Sequence, residues 1–218
     1  AWTASSMYLR SISTLILISD VVIANLPYED LQKMGIDYDT IAAINPRIIL
    51  ATTSTFGSEG PYATRVGFDT IGQAMSGAMF LSGDGEVPTR MNAPFVDFGT
   101  ALLNTVGVLA ALIDRARSGK GQKVETALLR TAINITNSHL IEQAMLSLNR
   151  IATLNRGFTA GPSDTFKCKD GWIYAMAIGQ PLFVRWCKVM GNDALVQDPR
   201  FKDDLARGDN GEALSAIM

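Results

Sequence analysis

Ile48-Ile-Leu-Ala-Thr-Thr53 is an unbroken apolar and β-branched run of strand length, and its flanks decide the fold. Ahead of it, Asp37 to Ile44 has helical spacing and is stopped by Asn45-Pro46. Behind it, residues 54–67 hold Gly57, Gly60, Pro61 and Gly67 and read as loop, after which Asp69 to Ser76 is again helical. Outward from there the pattern repeats. Val21-Val-Ile-Ala24 is a short β-branched run of buried-strand type, Tyr28 to Met34 a helix closed by Gly35, and Gln122 to Glu125 a further strand. A long helix comes before that strand and is stopped by Ser118-Gly-Lys-Gly121; a second long helix is expected from Thr126 to about Asn149. Such alternation predicts an α/β fold, an open and mostly parallel Rossmann-like sheet with helices on both faces. From Thr165 the signal changes: Phe166-Lys-Cys-Lys-Asp-Gly171 followed by Trp172-Ile-Tyr-Ala-Met176 reads as a hairpin turning at Asp170-Gly171, and Pro181 to Met190 as a helix. The expected division is residues 1–149 for an α/β core and 150–218 for part of a smaller α+β domain.

Asp97 stands where a Pro-containing extended stretch meets the first long helix, in Ala93-Pro-Phe-Val-Asp-Phe-Gly-Thr-Ala101. From Phe98 the apolar positions Leu102, Val106, Leu109 and Ile113 recur every three or four residues, which predicts a greasy helix face packed down. A carboxylate at the first residue of such a helix lies against unpaired backbone N–H groups and the positive end of the dipole, which favour its ionised form. Two roles fit that position, a helix cap and a nucleophile backed by a rigid scaffold. Spacing alone favours the cap, because Asp is among the commonest N-caps.

Four segments shift that balance. They are Ala43-Ile-Asn-Pro-Arg-Ile-Ile-Leu50, Phe56-Gly-Ser-Glu-Gly-Pro-Tyr62, Gly67-Phe-Asp-Thr-Ile-Gly-Gln-Ala-Met-Ser-Gly77 and Leu109-Ala-Ala-Leu-Ile-Asp-Arg-Ala-Arg-Ser-Gly-Lys-Gly-Gln122. In this order, with Asp97 between the last two, they resemble the class III CoA-transferases, a family that includes formyl-CoA transferase, carnitine CoA-transferases and the α-methylacyl-CoA racemases. The resemblance runs from about Asp20 to Leu129 and more weakly to Arg207. Family chains begin well before Asp20 and continue in a long C-terminal part, so the resemblance implies an incomplete chain covering the middle of the fold.

The resemblance implies that Asp97 is the catalytic aspartate of a CoA-transferase that moves CoA from an acyl-CoA donor to a carboxylic acid through an aspartyl-CoA thioester. CoA and acyl-CoA are then substrates, and no tightly bound cofactor is expected. Asn25, Leu26 and Lys33 fall at CoA-contacting positions, Arg65 is a further candidate for the nucleotide phosphates, and Phe56 falls near the acyl group. A carboxylate is a weak nucleophile in water, so Asp97 must be partly desolvated and well aimed. It also needs N–H donors for the developing oxyanion, which the helix start and the loops at Gly57, Gly60 and Gly77 are placed to supply. Gly60, before Pro61, reads better as a turn residue. The racemases of the family use a histidine where this chain has Phe68, which carries no transferable proton. A racemase or epimerase is therefore the runner-up, and a catalytically inactive CoA-binding or dimerisation fragment the third reading. Asn155-Arg-Gly-Phe-Thr-Ala-Gly161 is only thinly similar to the glycine run of the formyl-CoA transferases, which leaves a carnitine-type or dicarboxylic acceptor open.

Composition adds exclusions. A net charge of −2 over 218 residues leaves no basic footprint for nucleic acid. Cys168 and Cys187 have no metal-ligand or redox spacing, so no metal is expected, and reduced thiols suit the cytosol. Leu15-Ile-Leu-Ile18 is too short to cross a bilayer and carries no cleavage-site pattern, so neither membrane partner nor leader is expected. The expected location is cytoplasmic and the expected assembly, by resemblance, a homodimer. His139 lies mid-helix outside every motif and reads as structural or surface.

Overall fold

The computed structural model describes residues 12–218. The chain forms two compact units. One takes the residues up to Ala78 together with Arg90–Ile141; the other takes Met79–Thr89 and Glu142–Met218.

In the first unit, β1 (Val21–Ala24), β2 (Ile49–Ser54) and β3 (Lys123–Ala127) make a parallel sheet in that order, with Val21 opposite Ile49 and Leu50 opposite Lys123. The predicted α/β class is the one observed. Ile49, Leu50 and Ala51 of the central strand are fully buried. β1 pairs on one side only among the described strands and exposes Ile23, so the buried-strand reading of Val21–Ala24 needs correcting.

On one face of the sheet Leu50 packs with Ile16 of a short helix (residues 12–18) and with Ile41 and Ile48. The helices α1 (Tyr28–Met34) and α2 (Tyr38–Ile44) form where expected. Gly35 closes α1 in the left-handed region at φ 67°, which a residue without Cβ adopts at no steric cost. Asp37 opens α2, its carboxylate accepting the Thr40 backbone N–H at 3.2 Å and the Thr40 hydroxyl at 2.7 Å. After the 55–68 loop come α3 (Asp69–Met75) and a single turn, α4 (Ala78–Leu81).

The long helix α5 (Phe95–Ser118) crosses the other sheet face and turns the expected amphipathicity around. Its apolar stripe Phe98, Leu102, Val106, Leu109 and Ile113 is exposed, Leu102 at 68%, while Val96, Thr100, Asn104, Ala111 and Arg115 are buried. Small and hydrogen-bonding residues explain the inversion. Gly107 lies so close to β3 that a Cβ there would stand 2.6 Å from the Val124 side chain. Asn104 Nδ2 donates to the Thr52 carbonyl and to the Thr53 and Thr126 hydroxyls at 2.9–3.1 Å. Arg115 donates to the carbonyls of Asp20 and Arg47 and to the Asp20 carboxylate at 2.8 Å. By length and composition α5 could span a bilayer, but these bonds seat it on the sheet.

The helix expected from Thr126 to Asn149 is also corrected. β3 runs on to Ala127, and two shorter helices follow, α6 (Leu128–Ile135) and α7 (Asn137–Leu146), parted at Thr136. Ile133-Asn-Ile-Thr-Asn-Ser138 is a run of weak helix formers, and the Thr136 hydroxyl bonds back to the Ala132 carbonyl at 3.0 Å. In the second unit, β4 (Ser163–Lys167) and β5 (Trp172–Met176) form the predicted antiparallel hairpin, with Lys167 opposite Trp172. Phe183 and Cys187 of α8 (Gln180–Val189), Leu195, Phe201 and Leu214 make its core. Two short helices, α9 (Asp204–Asp209) and α10 (Gly211–Ile217), complete it.

Candidate active site

Parallel strands end together, and the loops leaving their carboxyl ends enclose a crevice. Here Asn25, Leu26 and Pro27 follow β1, Thr53, Ser54 and Thr55 end and follow β2, and Leu128 follows β3. With Ala63 and Arg65 to Phe68 of the long loop and Asp97 and Ala101 of α5 they line a pocket of about 500 Å³. That is within the range of small-molecule sites. One acid, Asp97, and one base, Arg65, are the charged groups in its wall.

Asp97 is the third residue of α5, not its first, and it is not the cap. Asp69, buried at the start of α3, reaches across and caps α5 instead. Its Oδ2 accepts the backbone N–H of Val96 at 2.8 Å and of Asp97 at 3.1 Å. Its other oxygen accepts from the Gln73 amide, and Gln73 bonds both backbone groups of Met91, at 3.0 and 3.1 Å. The buried pair Asp69 and Gln73 thus pins the chain on either side of Pro94 and presents the Asp97 side chain to the pocket. The carboxylate of Asp97 takes no hydrogen bond among the described residues. Its pKa is raised, first by desolvation from the pocket walls and then by the charge of Asp69, so the expectation that the helix start favours the ionised form is corrected. The first-turn amides that could have served the carboxylate, or an oxyanion, are spent on Asp69.

Of the other expected site residues, the structure brings Asn25 and Leu26 to the pocket and leaves Lys33 and Phe56 out of its lining. Lys33 is exposed and paired with Asp30 at 2.9 Å, a bond that raises its pKa. Phe56 stacks at a tilt on Tyr62, ring centres 5.3 Å apart. Gly57 is needed for the close approach of protein groups, since a Cβ would meet Arg130 at 2.9 Å and Glu125 at 3.1 Å. Glu125 holds the loop itself: it accepts the Ser58 hydroxyl at 2.5 Å and backbone N–H at 3.2 Å and pairs with Lys123 at 2.7 Å. Asp69 and Gln73 went unrecognised from sequence because a cap supplied from another element leaves no local spacing signal.

The chain matches CoA-transferase family III over residues 9–218. The chain belongs to that family. It is 33% identical over 215 residues to an acyl-CoA transferase of Fusarium pseudograminearum, covering 94% of this chain and 45% of the relative. It is 31% identical to the succinyl-CoA–D-citramalate CoA-transferase of Chloroflexus aurantiacus, covering 91% and 50%. The solved structure of a CAIB/BAIF family protein from Brucella suis superposes with a TM-score of 0.80 at 31% identity, covering 99% of this chain and 57% of that one. This family III chain spans about half the length of the curated relatives it matches.

Proposed function

We propose that this chain carries the nucleophile of a class III CoA-transferase, which moves CoA from an acyl-CoA donor to a carboxylic acid acceptor. The observation that carries the reading is the carboxylate of Asp97, which takes no hydrogen bond among the described residues, is held at the pocket wall by its own backbone, and has its pKa raised by partial desolvation although the residue as a whole is exposed. Desolvation raises the reactivity of a carboxylate that water would otherwise solvate. Asp97 attacks the thioester carbonyl, forming a mixed anhydride and releasing CoA thiolate. The thiolate attacks the aspartyl carbonyl, expelling the donor acid and leaving aspartyl-CoA. The acceptor carboxylate then attacks that thioester, and the freed thiolate attacks the acceptor's carbonyl, which returns Asp97 as a carboxylate.

Phe68, 81% exposed and part of the pocket wall, holds no transferable proton, which supports transfer over racemisation. The test is peptide-mass mapping after incubation with an acyl-CoA and hydroxylamine. An aspartyl hydroxamate is expected at position 97 and is absent in Asp97→Asn. A wild-type chain that binds acyl-CoA yet stays unmodified at Asp97 overturns the mechanism.

A further inference from the structure

We propose that Ala101 sets the length of the acyl group this pocket accepts, its small side chain leaving room for a chain of several carbons beside Asp97. The inference rests on the transferase reading above and adds what limits the substrate. Asp97 and Ala101 both line the pocket and stand four residues apart on α5. Residues at that spacing share one helix face, about 6 Å from each other along the axis. A helical side chain leans back over the turn before it. Whatever stands at position 101 therefore takes the space next to the Asp97 side chain. Alanine fills that space with a single methyl, and the residue is exposed.

The course of α5 tells the two ends of the pocket apart, because it runs antiparallel to the strands. Arg115 bonds the carbonyls of Asp20 and Arg47, just before β1 and β2 begin. Asn104 bonds Thr52, Thr53 and Thr126, near the carboxyl ends of β2 and β3. From Asp97 through Ala101 to Asn104 the helix thus descends onto the strand ends. Thr53 is itself in the pocket wall, so its bond from Asn104 at 2.9 Å closes the pocket on this side. Val66 and Phe68, in the wall supplied by the long loop, are largely exposed and mark the open side. A pocket of about 500 Å³ suits a drug-sized ligand and is too small for a whole CoA thioester. The pantetheine arm and nucleotide therefore leave by the open side. With the thioester carbonyl at Asp97, the acyl chain turns the other way, toward the closed side, and meets Ala101.

The test measures the rate of hydroxamate formation at Asp97 with acetyl-CoA and with hexanoyl-CoA, in separate reactions, for the wild-type chain, Ala101→Leu and Ala101→Gly. One methylene too many in an apolar pocket changes discrimination by roughly 10–200-fold. Ala101→Leu is expected to lower the hexanoyl-to-acetyl rate ratio by about tenfold or more. Ala101→Gly, which removes the methyl, is expected to raise the ratio, and it decides the sign where leucine disturbs the helix. A ratio that neither substitution moves overturns the inference while leaving the transferase reading intact. So does an equal loss of both thioesters in Ala101→Leu, complete loss included, which would put the pantetheine arm and not the acyl chain over Ala101. A wild-type chain labelled by neither thioester overturns both readings.

Discussion

Asp69 grips Asp97 by the backbone while repelling it through the side chain. The same carboxylate that accepts the Asp97 N–H at 3.1 Å contributes to the raised pKa of the Asp97 carboxyl. Structure and reactivity are therefore divided between two aspartates, one buried as the cap and one presented to the pocket. Removing each should have different effects. Asp69→Ala is expected to cost about 2–3 kcal/mol, because it strips a charged acceptor from two helix amides and orphans Gln73. Asp97→Asn is expected to change stability by about 0.5 kcal/mol or less. Urea unfolding of both variants measures this; equal losses would mean that Asp97 is a cap after all.

The ionisation of Asp97 is open to direct measurement. Its raised pKa means that the folded state holds the proton more tightly than the unfolded chain. This group's contribution to stability is thus full below 3.8 and is lost as pH rises through the raised value. Carboxyl carbon NMR should show a titration midpoint above the ordinary aspartate range. In Asp69→Asn the midpoint should fall only part of the way, since desolvation, the larger cause, remains. A midpoint unmoved by Asp69→Asn would remove the electrostatic link.

Glu125 is expected to behave in the opposite sense. Burial pushes its pKa up, but the bonds from Lys123 and Ser58 outweigh burial and hold it at about 2, below the ordinary 4.5. Its stabilising contribution is therefore present above 4.5 and disappears as pH falls through about 2. Glu125→Gln should flatten the stability profile across that acid window, read by thermal melts at stepped pH. An unchanged slope would mean that the clasp on the Ser58 loop does not depend on this charge.

Gly107 should violate the usual helix rule. Replacing glycine by alanine inside a helix ordinarily gains about 1 kcal/mol. Here the new methyl would meet Val124 at 2.6 Å, and a loss of about 1–3 kcal/mol is expected. Gly107→Ala combined with Val124→Ala should recover most of it. Denaturant midpoints of the two variants decide; a stabilised single variant would show that helix and strand are less tightly apposed.

The parts of this molecule that could be read from sequence are those with local signals. Gly35 and Asp37 punctuate α1 and α2, and Asp170-Gly171 marks the hairpin, because turns and caps act through neighbours in the chain. The orientation of α5 was read the wrong way round. Periodicity reports which residues share a face but not which face meets the sheet, and β2 and β3, with threonines near their ends, favour hydrogen bonds over grease. The position of Asp97 was legible through its surroundings. Its support by Asp69 depends on residues brought together only by folding.

Asn104 has a consequence of its own. It lies seven residues beyond Asp97, close to two full turns, so both side chains leave the helix at nearly the same azimuth. Contact between oily surfaces tolerates rolling, whereas a fan of three hydrogen bonds from one amide does not. The helix therefore behaves like a keyed shaft, with Asn104 as the key and Asp97 as the cam. A leucine at position 104 could leave the shaft seated and still let the cam rotate away from the substrate.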